Sequence, residues 1–179
     1  MRYWLKWLLL VATPCVALSA VSEERAAVNL NAYSQIEIDR PVATVWPYIV
    51  DTNSWKPERR LTHRSGPVGQ VGEVLAIVGP TGKVWFLVEN VELVANQRRT
   101  IKMYDPDGKL LGFATWKLQA TGDHTLIEYE IHGESLVAAA QAGQPGGKSV
   151  AEQEREGYAV NKKRIDVEFA ALKRLLEAK

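Results

Sequence analysis

From Ser34 onward, polar and apolar positions alternate first with the period of a strand and then with that of a helix, and their order outlines the molecule. Gln35-Ile36-Glu37-Ile38-Asp39 changes character at every residue, as a strand with one buried face does. Val42, Val45, Trp46 and Ile49 then recur at helical spacing behind Pro41, whose missing N–H costs nothing in a first helical turn. Pro47 removes one backbone bond and is expected to bend or shorten that helix, which Asp51-Thr52-Asn53-Ser54 closes. Trp55 follows on a second short turn or a loop.

Turn signals come next at Gly66-Pro67, Gly79-Pro80-Thr81-Gly82, Asn96-Gln97, Asp105-Pro106-Asp107-Gly108 and Thr121-Gly122-Asp123. They bound strand-like runs at 73–78, 84–94, 98–104, 110–119 and 125–132, with a further strand within 60–65. Each connection is only a few residues long, so neighbouring strands are expected to pair antiparallel as a meander. After the glycine-rich stretch 141–147, Ser149 with Glu152 makes a capping box, and a long helix is predicted from there. Tyr158, Ile165, Phe169, Leu172 and Leu176 form its apolar stripe, with Gly157 a weak point. A helix that arrives after every strand has one large apolar surface left to cover, the inner face of the curved sheet.

The first twenty residues are of another kind. Arg2 and Lys6 precede the apolar run Leu8-Leu9-Leu10-Val11-Ala12, and Ala17-Leu18-Ser19 offers the small residues a signal peptidase needs. The expectation is a cleaved export signal over 1–20 and a polar leader without strong pattern over 21–33. A retained anchor and a lipidated Cys15 are the rivals. Against them, the apolar run is short for a span, and Pro14 spoils a lipobox. Removing Arg2 and Lys6 from the 22 basic residues leaves 20, against 21 acidic ones. So even a charge balance, with no block of like sign, argues against nucleic acid as a partner. Cys15 is the only cysteine, so cleavage leaves no thiol for a disulfide, a metal or a nucleophile. The expected place is a bacterial periplasm or the outside, with no stable membrane span after signal removal.

Residues 34–179 resemble the START-like, or SRPBCC, superfamily, which includes polyketide cyclase/dehydrase-like proteins. The resemblance is carried by Ile36-Glu37-Ile38-Asp39-Arg40-Pro41-Val42 leading to Val45-Trp46, by Asp51 and Trp55, and by Gly69 and Gly72 before a strand. It continues through Trp116-Lys117-Leu118, Gly122 and Thr125, and ends on Leu172-Lys173. It implies an α+β helix-grip (Bet v 1-like) fold, an antiparallel sheet of about seven strands wrapped around a long C-terminal helix with a cavity between them. It does not imply one chemistry.

Alternation selects the wall of such a cavity. Ala114, Trp116 and Leu118 share one face, and Ile127, Tyr129 and Ile131 another, so Trp116 and Tyr129 should point inward and His132 outward. The run at 84–94 is apolar on both sides, with Trp85 and Leu87 opposite Val84, Phe86 and Val88, so its inner face is open. The candidate ligand-binding residues are Trp55, Trp85, Trp116, Tyr129, Tyr158 and Phe169. No catalytic residue is assigned. His63, His124 and His132 lack metal-ligand spacing, no metal or cofactor is called for, and Arg98-Arg99 reads as a strand start rather than an anion clamp. The expected function is an exported single-domain protein binding a small lipophilic ligand. The alternatives are a cyclase/dehydratase-like enzyme, with Tyr129 or Glu89 moving a proton, and a non-enzymatic protein-interaction domain.

Overall fold

The structure, a computed structural model, describes residues 25–138 and 148–178. The export signal with Cys15, and the glycine-rich loop with Gly146 and Gly147, lie outside the described residues. The strands are β1 (Arg25–Asn29), β2 (Ala32–Ile38), β3 (Arg60–Ser65), β4 (Val74–Val78), β5 (Val84–Val94), β6 (Arg98–Tyr104), β7 (Leu110–Thr121) and β8 (His124–Ala138). Helix α1 (Val42–Val50) and a 3-10 turn (Thr52–Ser54) interrupt them after β2, and α2 (Val150–Glu177) ends the chain.

The strands form one antiparallel sheet of eight in the order β1-β8-β7-β6-β5-β4-β3, with β2 also pairing β8. β1 and β2 lie end to end along β8: Asn29 faces Glu134 and Ala32 faces Ile131. Strand β1 falls in the stretch expected to be a patternless leader. Its five residues show no alternation that a sequence reader could use. They are strand because β8, running to Ala138, offers them an edge.

Inward positions follow the pleat. On β7 they are Ala114, Trp116 and Leu118, and on β8 Thr125, Ile127 and Tyr129. On β5 the open question resolves to Val88 and Asn90 inward, with Phe86 packed on the core and Trp85 and Glu89 on the other face. Ile165, Phe169, Leu172 and Leu176 of α2 meet this concave surface, and Val45 and Ile49 of α1 close one end of it. Helix α1 keeps Pro47 inside and stops where Asp51 N–H bonds the Pro47 carbonyl.

Both halves of the capping box form: the Ser149 hydroxyl accepts from Glu152 N–H, and the Glu152 carboxylate accepts from Ser149 N–H at 2.8 Å. Ser149→Ala is expected to lower stability by about 1 kcal/mol in thermal or urea unfolding. No measurable change would mean that the sheet alone holds the start of α2.

Gly157, the expected weak point, interrupts nothing. A Cβ there would stand 2.9 Å from the Leu30 side chain, so the glycine lets α2 come close to the joint between β1 and β2.

Candidate functional site

Three of the six candidate aromatics pack ring against ring, a fourth is buried in the same core, and two lie exposed. Trp116 and Tyr129, on adjacent strands, have ring centroids 4.6 Å apart, and Phe169 of α2 stands edge-on to Tyr129 at 6.3 Å. Trp55, buried beside α1, donates its indole N–H to the Tyr48 carbonyl at 2.8 Å and presents its ring to the Lys56 ammonium. Trp85 is 42% exposed. It lies flat across Gly79, where a Cβ would sit 2.4 Å from the indole, because β5 turns its other face inward. Tyr158 is 41% exposed. At its end of α2 the side facing the sheet is that of Glu154 and Gly157, and Tyr158 is turned one residue away from it. Glu89 also points away from the interior and accepts the Tyr104 hydroxyl at 2.7 Å.

Ile165, Phe169, Leu172 and Leu176 of α2 are buried against the sheet. Two open hollows lie elsewhere, and neither borders Trp116, Tyr129 or Phe169. One of about 370 Å³ lies against Glu92, Arg98, Lys117 and Glu128. The other, of about 400 Å³, is a cleft between residues 53–60 and the β4–β5 turn, lined by Asn53, Pro57, Arg59, Arg60, Gly79 and Pro80.

Inside the grip, the Tyr129 hydroxyl is the informative atom. Tyr129 is 8% exposed, and burial pushes its phenol up to about 12. Among the described residues no hydrogen bond reaches that hydroxyl, whereas every fully enclosed side-chain polar atom has a partner. The hydroxyl therefore opens onto a crevice that water or a ligand atom reaches. Trp116 and Trp55, 8% and 9% exposed, keep similar slivers of surface.

Around the Tyr129 end of the grip stands a group of charges that sequence reasoning missed. Lys56, with only 5% of its side chain exposed, is ion-paired with Glu168 of α2, which is 20% exposed. Arg164 reaches the same carboxylate at 2.9 Å. Arg59 lines the 400 Å³ cleft and acts electrostatically on Lys56, Glu168 and Tyr129. Burial, with repulsion from Arg59, pulls the Lys56 ammonium down to about 8. Burial works to raise the Glu168 carboxyl, but the charge and hydrogen bond of Lys56 outweigh it and hold it below the usual carboxylate range. The more deeply buried lysine is thus the partner that yields its proton.

The backbone that carries Lys56 is fixed locally. Asp51 caps the 3-10 turn through Asn53 N–H, and the Asn53 amide oxygen accepts from Leu61 N–H at 2.6 Å. Behind it runs a buried chain of bonds. Arg99 donates to the Ile49 and Val50 carbonyls at the end of α1 and to the Asn90 amide oxygen, and the Asn90 amide donates to Glu73. Gly69 N–H and His63 complete the Glu73 carboxylate. Arg99, read from sequence as a strand start, therefore points into the core.

Helix α2 is fastened unevenly. Toward β1, β2 and the turn after β2 it is tied by Glu154 to Asn29, Asp166 to Ser34, Lys173 to the Glu37 carbonyl and Glu177 to Asp39 N–H. Toward the residues between α1 and β3 the tie is Lys56 to Glu168. Among the described residues no helix is long and apolar enough to cross a membrane, and no group of three or more His, Cys, Asp or Glu could hold a metal ion.

A family model described as polyketide cyclase/dehydrase and lipid transport matches residues 30–177. No curated protein matches the sequence. Among solved structures, Ara h 8.0201 is 14% identical at a TM-score of 0.57, covering 86% of this chain and 100% of that one. The di-domain ARO/CYC StfQ from the steffimycin biosynthetic pathway is 14% identical at 0.58, covering 84% of this chain and 50% of that one. MLL2253 from Mesorhizobium loti is 19% identical at 0.56, covering 82% and 98%. At these identities the likeness is one of fold, and it places the chain among helix-grip proteins.

Proposed function

Since the chain belongs to the polyketide cyclase/dehydrase and lipid transport family, we propose that it is an exported carrier that holds a small lipophilic ligand between the sheet and α2. Its place is the periplasm or the outside of a bacterial cell, after loss of residues 1–20. The carrying observation is the Tyr129 hydroxyl, without a hydrogen-bond partner among the described residues and opening onto a crevice beside the rings of Trp116 and Phe169. Apolar walls with one or two convergent polar atoms are what a small-molecule site needs. A ligand larger than the crevice is admitted by α2 lifting on the side where one ion pair ties it.

The carrier reading fits this site better than proton-transfer catalysis. A phenol pushed up to about 12 stays protonated at neutral pH, so Tyr129 donates a hydrogen bond to a ligand and is no base. Lys56 and Glu168 face inward but already satisfy each other, and Glu89 lies outside.

Uncharged N-phenyl-1-naphthylamine, whose fluorescence rises in apolar surroundings, tests the proposal. It is expected to bind one molecule per chain with a micromolar Kd, and Trp116→Ala is expected to weaken it at least about tenfold. Absence of saturable uptake by the folded protein would overturn the carrier reading.

A further inference from the structure

We infer that the ligand is an amphiphile with an anionic group, carboxylate or sulfonate, which Lys56, Arg59 and Arg164 receive at the mouth of the crevice by competing with Glu168. This rests on the carrier reading and adds the chemical class of the ligand to it.

A purely structural ion pair needs one cation for one carboxylate. Here Lys56, Arg59 and Arg164 stand about Glu168, and Glu58 lies 3.9 Å from Arg59 at the surface. Arg59 and Arg164 both work against the charge on Lys56, so the group holds more positive charge than its own carboxylates offset. Excess cations beside apolar walls favour an anion that brings hydrocarbon with it. Arg59 belongs both to this group and to the open 400 Å³ cleft, which gives an anion a path from solvent.

The Tyr129 hydroxyl is the second observation. More than nine-tenths buried and unpaired, it lies in the field of Arg59, Arg164 and Arg99 and offers its proton to an incoming oxygen. An anion that takes Lys56 from Glu168 also loosens the tie holding α2 on that side, while Arg164 keeps Glu168 paired. Head-group recognition and opening of the grip then become one event.

1-Anilinonaphthalene-8-sulfonate and N-phenyl-1-naphthylamine differ only by a sulfonate and isolate the effect of charge. The sulfonate probe is expected to bind at least about tenfold more tightly to the wild type, and the preference should shrink in high salt. R59Q/R164Q is expected to remove that preference and to change affinity for the uncharged probe less than about twofold. The Arg164 side chain is half exposed, glutamine keeps much of the Arg59 stem, and Lys56 still pairs Glu168, so the variant keeps its fold; binding of the uncharged probe reports that directly. If the uncharged probe binds and the sulfonate gives no advantage, or the advantage survives in R59Q/R164Q, the anion site is wrong and the carrier stands. If neither probe binds the folded wild type, both are wrong.

Discussion

Arg99→Met is expected to lose about 3–5 kcal/mol of stability, the loss seen when one partner of a buried charge pair is removed. Arg99 is almost wholly buried, and burial pulls its guanidinium down to about 10 against the opposing pull of Glu73, so it remains charged at neutral pH. It donates to the Ile49 carbonyl at 2.6 Å, the Val50 carbonyl at 2.9 Å and the Asn90 amide oxygen at 3.0 Å. A methionine fills much of the space and satisfies none of these acceptors. It also leaves the buried Glu73 carboxylate without the cation that offsets it. Urea unfolding measures the loss, with Arg98→Met as control: Arg98 is exposed at the strand start and should change stability by no more than about 0.5 kcal/mol. Because Arg99 holds the end of α1, from which the Trp55 segment departs, the variant should also take up the uncharged naphthylamine less well. A loss below about 1 kcal/mol would show that the buried network is dispensable.

That network marks where sequence reading reaches its limit. Strands β3, β5 and β6 and the start of α2 are legible because turn residues and a capping box fix their ends locally. Trp116 and Tyr129 are legible as wall residues because each strand has one plainly polar face. Trp85 is not, since its strand is apolar on both sides and only its partners decide which side is covered. Tyr158 misleads for another reason: it keeps the spacing of the stripe, but α2 meets the β1–β2 joint through Gly157.

The charged group is harder still. Arg164 and Glu168, four apart on a helix, read as an ordinary surface pair, and Lys56 lies in a loop more than a hundred residues before them. Nothing local announces that the chain folds them onto one buried spot. For Arg99 a signal was present: it alternates with Ile101 on the inward face of β6, and a charged residue in an inward register is a request for buried partners.

Glu168→Leu is expected to cost about 3 kcal/mol and Lys56→Met about 1 kcal/mol, and the two together less than their sum, leaving the double variant within about 1 kcal/mol of wild type. Glu168→Leu strands the Lys56 ammonium in a largely dry place, whereas in Lys56→Met the Glu168 carboxylate keeps Arg164 at 2.9 Å, and the double change puts hydrocarbon against the Trp55 ring and the core. The dependence on pH identifies which partner carries the burden. Lys56 is held near 8 in the folded protein and returns to about 10.5 when unfolded, so between those values the unfolded chain binds more protons. Stability should therefore rise from pH 8 toward 10, by up to about 3 kcal/mol if Lys56 acted alone. Tyr129 works the other way: with its folded phenol near 12, the folded state retains a proton that the unfolded one releases above 10, and stability falls from there. The lowered Glu168 carboxyl adds stability that is present at neutral pH and lost as pH drops through the carboxylate range. A melting temperature that climbs between pH 8 and 10 in the wild type and stays level in Lys56→Met is the expected result. A level profile in both, or a climb in both, would mean that the lysine is not the buried, strained partner that ties α2 to the mouth of the grip.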